Sequence, residues 1–453
     1  MSVPYILAIV IAGVSLLLFM VLKLKISAFI SLLISSILVG IMAGMPLDTL
    51  MNSIQEGMGG TLGFVAIVVG LGAIFGQILE SSGGAESLAH YLLGKFGKER
   101  ASWAMVVTGF IVAIPVFLDV GLIILIPIIY ALSRDTKRSL LYYGIPLLAG
   151  LAVTHSFIPP TPGPIAVADI LEADLGWVIF FGFILGFPIA VIAGPVFGKY
   201  ISRKIDIQPP EEIILPRKSN SEEQQELPSF RSIALLVATP LLLILLNTFT
   251  SVAVGKELLE KSLFTDAIIF IGHPFSALII AALMAIYFLG IRRGKSRQEL
   301  LDLSTKALGP AGIIILITGA GGVLKQILVD SGIGEMMAQS IAGSSMPPIF
   351  LAWLLAAIIR VTQGSATVAM ITAAGIMAPV LSFINPGAPE LALIVLAIAS
   401  GATLLSHVND SGFWLVSKYF GMDEKQTLRS WTVMESIIAV CGLGFTLLAS
   451  LFV

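Results

Sequence analysis

The sequence predicts an all-α polytopic membrane protein made of two inverted repeats, with about ten transmembrane helices and two re-entrant helical hairpins, 12 or more hydrophobic segments in all. Three observations carry that expectation. The 453-residue chain is 57% hydrophobic and only 12% charged, far from the balance of a soluble globular domain. Apolar stretches long enough to cross a bilayer recur from residue 5 to the C-terminus, so no soluble enzyme domain is left over. Short strings also recur between the halves. "QILESSGGAE" from Gln77 matches "QILVDSGIGE" from Gln326 at an offset of 249, and "GLAVTHSF" from Gly150 resembles "GATLLSHV" from Gly401, which sets His155 opposite His407.

The first segment, residues 5–22, lacks the positive leader of a signal peptide and is followed by Lys23 and Lys25, so it reads as a retained span with its N-terminus outside. Residues 26–45 and 60–80 are plain spans, with Glu80 and Glu86 expected at the interface. Residues 101–133 would form a helix of roughly 50 Å against a hydrocarbon core of about 30 Å. This stretch is broken by "IPVFLDVG", and its flanks "GKFGKER" and "SRDTKRS" are both basic, which places both ends in the cytoplasm. It therefore enters the membrane and returns as a hairpin. Residues 139–172 carry the interruption "HSFIPPTPGP", and 177–200 complete the first repeat, 1–202.

The polar stretch 203–230, "RKIDIQPPEEIILPRKSNSEEQQELPSF", reads as a cytoplasmic linker to the second repeat, 231–453. Spans follow at 231–249, 271–290 and 309–329, with Asp330 and Glu335 interfacial. Residues 347–384 repeat the length problem around "RVTQGSATVAM", but their flanks carry no Lys or Arg, so this second hairpin enters from outside. Counting each hairpin as a pair of short spans fits the same hydropathy. Residues 388–418 are interrupted by "SHVNDSG", and 430–453 form the last span. That span holds the single Cys, Cys441, which excludes an intrachain disulfide framework and a Cys-based metal site. The remaining basic loops then share one side of the membrane, both termini lie outside, and each half has five crossings. An odd number inverts the second half, as in many secondary transporters.

Non-helical backbone survives in a bilayer only where protein or a water-filled cavity satisfies it, so the four breaks should meet near the midplane. Prolines beside His155 unwind a helix there. Half-helices that restart at such breaks present free N–H groups to an anionic ligand. Ser365 and Thr367 follow Gln363 and Gly364 at one restart, where their hydroxyls either cap the helix or contact ligand. Arg360 is either a carboxylate clamp or half of a structural ion pair. His155 and His407 serve packing or a substrate and proton role, and Asp119 and Asp410 are the candidate proton-exchanging carboxylates. No zinc helix, nucleophile elbow or Walker loop is present, so transport energy would come from an ion gradient. No cofactor is implied, and the basic loops speak to orientation rather than to nucleic acid.

At these breaks the sequence resembles the gluconate permease family, bacterial symporters of gluconate and related sugar acids with protons. The resemblance rests on "PVFLDVGLIILIPI" from Pro115, "HSFIPPTPGPIAVA" from His155, "RVTQGSATVAMITAAGI" from Arg360 and "SHVNDSGFWLV" from Ser406, and covers nearly the whole chain. It implies proton symport of a small organic anion across the bacterial inner membrane by alternating access. The carboxylate would be held by hairpin-tip amides with Ser365, Thr367 and Arg360, and the hydroxyls by His155, Thr161, Asn409 and Asp410, with Gly163, Gln363, His407 and Ser411 beside them. The family's gluconate carriers commonly read "PPHPGP", whereas this chain has Thr161 in "PPTPGP". That departure leaves D-serine, fructuronate and glycerate, which other members carry, as alternative substrates. A homodimer is compatible with the architecture. Two other classes remain to be weighed: a passive organic-anion channel, which needs a continuous polar pore, and a membrane hydrolase using His407, Asp410 and Ser411, which needs a defined mutual geometry.

Overall fold

Lipid offers no partner to a backbone N–H or C=O, and a chain this apolar is driven to pair those groups within helices. The computed structural model describes residues 3–209, 227–333, 336 and 346–453, and every regular element among them is helical. Most of the linker, 210–226, and Glu335 lie outside the described residues.

The first half comprises α1 (Val3–Leu22), α2 (Ala28–Met42), α3 (Leu47–Ser81), α4 (Gly84–Phe96), α5 (Ala101–Val112), α6 (Leu118–Thr136), α7 (Leu141–Phe157), α8 (Pro162–Ile170) and α9 (Leu175–Ile201). The second comprises α10 (Phe230–Gly255), α11 (Leu263–Gly272), α12 (Pro274–Arg293), α13 (Arg297–Asp330), α14 (Pro348–Gln363), α15 (Ala366–Ile384), α16 (Ala388–Gly401), α17 (Ser411–Phe420) and α18 (Glu424–Phe452). One succession occurs twice. Helices starting at Leu47, Ala101, Leu118, Leu141, Pro162 and Leu175 have counterparts starting at Arg297, Pro348, Ala366, Ala388, Ser411 and Glu424, 247 to 250 residues later.

Eight stretches among the described residues are long and apolar enough to cross a membrane, against the ten crossings expected. Seven of the expected crossings are among them; the other three fall short of the roughly 20 residues that a span needs, at Ala8–Val21 in α1, at α2 with 15 residues and at α16 with 14, and the eighth long stretch is α15, an arm of the second hairpin. Two helices escaped the sequence reading. α4 is short and carries Glu86, His90 and Lys95, and α11 ends at the turn into α12. α3 and α13 also begin about 12 residues earlier than their apolar cores, in polar first turns.

The long helices α3 and α13 cross on glycines. A Cβ at Gly57 would stand 2.6 Å from the Gly322 carbonyl oxygen, and one at Gly322 would stand 2.5 Å from that of Gly57. Small residues let two backbones touch where hydrophobic exclusion no longer drives association. The arms of the first hairpin, α5 and α6, pack on α7 more than on each other, because Gly109 and Gly150 let α5 and α7 approach to backbone contact. The arms of the second, α14 and α15, pack directly together.

Each helix that restarts after a break packs against the other half. α8 lies on α15, where a Cβ at Gly163 would meet Met370 Sδ at 2.9 Å. α17 lies on α6 and α7: the Tyr130 hydroxyl donates to the Tyr419 carbonyl, and Gly144 faces the Phe420 ring.

Candidate functional site

α14 stops at Gln363 because Gly364 adopts a φ of +90°, and a side chain there would also collide with Asn409, 2.3 Å from its carbonyl oxygen. Only glycine meets both demands. Ser365 then caps α15, its Oγ accepting from Val368 N at 3.4 Å. The hairpin tip so formed is fastened to the break between α16 and α17. His407 Nε2 and Asn409 Nδ2 both reach the Val361 carbonyl, at 2.9 and 3.1 Å.

Arg360 ties the two breaks together. Its Nη1 donates to the Gly364 carbonyl and its Nη2 pairs with Asp410 Oδ2 at 2.5 Å, with 4% and 14% of the two side chains exposed. Asp410 also caps α17, its Oδ1 accepting from Gly412 N at 3.1 Å. The Ser406 hydroxyl donates to Asp410 Oδ2 and accepts from Trp431 Nε1 at 2.7 Å, while the Thr432 hydroxyl donates to the Ser406 carbonyl. Trp431 and Thr432 lie in a π turn, Leu428–Thr432, within α18. A buried guanidinium is costly unless paired, and Asp410 supplies the pair.

Three polar atoms in this cluster are buried without a partner: Arg360 Nε, Gln363 Oε1 and Asn409 Oδ1. Buried polar atoms are nearly always bonded, so one donor and two acceptors left open beside a cation set this cluster apart from the rest of the core.

The candidates from the first half gather elsewhere. The His155 ring meets the Phe117 ring edge-on at 5.9 Å, and its Nδ1 is buried without a partner. Pro159–Pro160 is cis, and the Thr161 hydroxyl donates to the Ile158 carbonyl at 2.6 Å. Asp119 is exposed on a cavity of about 260 Å³ that Gln77, Glu80 and Phe117 also line. Of the predicted residues, then, Arg360, Gln363, Ser365, His407, Asn409 and Asp410 form one connected cluster. Asp119, His155 and Thr161 are not bonded to one another and share only Phe117 as a neighbour, and Gly163 reaches toward α15. Thr367 is half-buried in the first turn of α15, and Ser411 is exposed at the start of α17. His407 directs Nε2 to a carbonyl oxygen and not to Ser411, so the geometry of a hydrolase is not formed.

Sequence reasoning missed Ser406, Trp431 and Glu435. The buried Glu435 is 4% exposed and leaves Oε1 without a partner. Its signal was one acidic residue early in an apolar segment. Glu80, expected at the interface, also lines the cavity at the first hairpin tip, where Gln77 Nε2 donates to its Oε2 at 3.3 Å.

Eight stretches long and apolar enough to cross a bilayer, joined to broken helices that gather polar residues, are the architecture of a multi-pass membrane protein. The GntP family permease model matches residues 5–452, and the chain belongs to that family. It is 43% identical to the gluconate permease of Pseudomonas aeruginosa over 95% of this chain and 94% of the relative. It is 40% identical to the high-affinity gluconate transporter of Escherichia coli, over 99% and 100% of the two chains. The L-idonate transporter of the same organism's Gnt-II system is 38% identical, over 96% and 97%. As members of a permease family, such chains move solutes and are not enzymes. Among solved structures, the fold is shared with the YdaH transporter of Alcanivorax borkumensis, with a TM-score of 0.62 over 88% of each chain at 12% identity. MtrF of Neisseria gonorrhoeae gives the same TM-score over 88% and 84% at 17% identity.

Proposed function

We propose that the protein imports gluconate, or a closely related sugar acid, by proton symport across the bacterial plasma membrane. The observation that carries this reading is the Arg360 cluster: a buried guanidinium with a free Nε–H, flanked by the open acceptors Gln363 Oε1 and Asn409 Oδ1. A carboxylate fits the cation, and hydroxyl groups of a polyol fit the two acceptors. Ser365 and Thr367 stand at the N-terminus of α15, where helix N–H groups favour the same negative charge. Relatives at about 40% identity are named for gluconate, and one at 38% for L-idonate, which shares the carboxylate and hydroxyl pattern this site suits.

The repeats 1–202 and 231–453, joined by the linker 203–230, are read as inverted copies. The recurring succession of helices supports this, as do the basic flanks of the first hairpin against the Lys- and Arg-free flanks of the second. With 12 and 16 residues, the first arms α5 and α14 are too short to cross alone, which supports re-entrant hairpins at 101–133 and 347–384, although α15, the second arm of the latter, has 19 residues and is long enough to cross. The hairpin bundle would move against a fixed scaffold during alternating access; the sequence put forward Asp119 and Asp410 for proton exchange, and the ion pair of Asp410 with Arg360 leaves that role open to a third carboxylate.

Uptake of labelled gluconate into proteoliposomes with an imposed inside-alkaline gradient tests the reading. Accumulation that a protonophore abolishes is expected, together with competition by L-idonate. Accumulation indifferent to the protonophore would refute the coupling, and competition by D-serine, fructuronate or glycerate in place of gluconate would refute the substrate.

A further inference from the structure

Among the described residues, Glu435 is the one buried acidic residue of the second half that the substrate cluster leaves unused. It sits in α18, three residues beyond the π turn that carries Trp431 and Thr432. The Thr403 hydroxyl lies 3.4 Å from its carbonyl oxygen, which sets it level with the break between α16 and α17. Its side chain is almost wholly buried, and Oε1 has no hydrogen-bond partner. A charged carboxylate left so at membrane depth costs several kcal/mol, whereas a protonated one costs far less.

The charges that act on Glu435 are the Arg360 guanidinium of α14 and the Asp410 carboxylate at the start of α17. The helices packed on α18 also carry Tyr142, Tyr143 and His155 on α7, Lys199 and Tyr200 on α9, Glu390 on α16 and Lys418 and Tyr419 on α17, and none of these is among the charges bearing on it. No hydrogen bond or ion pair joins Glu435 to Arg360 in this structure; they meet through the break, where Thr432, one turn from Glu435, bonds the Ser406 carbonyl and Ser406 bonds the Asp410 carboxylate that holds Arg360, and one has an unpartnered acceptor, the other an unpartnered Nε–H.

Resting on the symport reading above, we propose that Glu435 is the proton-coupling residue, acting through Arg360 as a competitor for the substrate carboxylate. When Glu435 is protonated, Arg360 keeps Asp410 on Nη2 and offers Nε–H to the incoming anion. When Glu435 has lost its proton, the carboxylate draws Nε–H to itself and the anion is released. Proton and anion then bind together and leave together, and each raises the affinity of the other by the same factor. The carboxyl gains or loses one proton, the Arg360 Nε–H exchanges one hydrogen-bond acceptor for another, and no other covalent bond changes.

The test measures gluconate affinity of the purified full-length protein against pH, with proton uptake on binding read in weak buffer. Wild type is expected to weaken roughly tenfold per pH unit above the Glu435 titration and to take up about one proton per gluconate. Glu435→Gln, a mimic of the protonated form, is expected to bind with near-constant affinity, take up no proton, and support gluconate counterflow while losing gradient-driven accumulation. An unchanged pH slope and proton uptake in Glu435→Gln would overturn the proposal while leaving symport intact. A wild type that takes up no proton would overturn the symport reading itself. Should Glu435→Gln fail to fold, Glu435→Asp decides: it keeps the carboxyl and is expected to stay coupled with a displaced pH profile, and a profile identical to wild type overturns the proposal.

Discussion

Asp410 holds one side of a buried ion pair and caps a helix with the other oxygen, so removing its charge strands Arg360 in a dry site. Asp410→Asn is expected to cost about 3–5 kcal/mol, read as a lowered thermal midpoint in detergent, and to abolish uptake. Trp431→Phe removes one hydrogen bond to Ser406 and should cost only about 0.5–1.5 kcal/mol with uptake retained. If both variants melt alike, the ion pair is not what holds the breaks together. Arg360, His407, Asn409 and Asp410 were legible in the sequence because charge or hydrogen-bonding capacity inside an apolar run is costly unless it is paired or meets a ligand. Glu435 was not, since an acidic residue a few positions into an apolar segment looks like an interfacial one. Ser406 and Trp431 gave no signal, for their roles exist only once α18 is laid against the break.

At the scale of elements, close contact depends on glycines whose hydrogens face a neighbouring backbone. Gly57→Ala places a Cβ 2.6 Å from the Gly322 carbonyl oxygen and should force α3 and α13 apart, lowering the thermal midpoint. Gly59→Ala, two residues along the same helix in open space, should leave it unchanged or slightly raised. Equal effects would mean that helix propensity and not contact is being measured. Gly364→Ala is expected to be severe, because it meets both a left-handed φ and the Asn409 backbone. The breaks themselves were readable from Pro159, Pro160 and Gly364. The first turns of α3 and α13 were not, since residues such as Asn52, Gln55 and Glu56 hide a helix from any hydropathy window.

For the whole molecule, the doubled succession of helices gives the inverted-repeat proposal a direct consequence. Lys137 and Asn385 each close the second arm of a hairpin in a left-handed conformation, with φ of 53° and 51°. Lys137→Cys should label from the cytoplasm and Asn385→Cys from the outside, and labelling of both from one face would refute the inversion. The recurring succession of helices was foreshadowed by strings such as those at Gln77 and Gln326, which stand 249 residues apart. The way α8 crosses to α15, and α17 to α6 and α7, was not, because no local pattern states which half a restarted helix will join.

Calorimetric titration of gluconate into wild type and Arg360→Lys asks whether the sugar acid sits on the guanidinium. Wild type should bind, and the lysine variant, which keeps the charge but loses the Nε–H and the fork, should bind at least about tenfold more weakly. Equal affinity in the two proteins would place the carboxylate elsewhere and contradict the site.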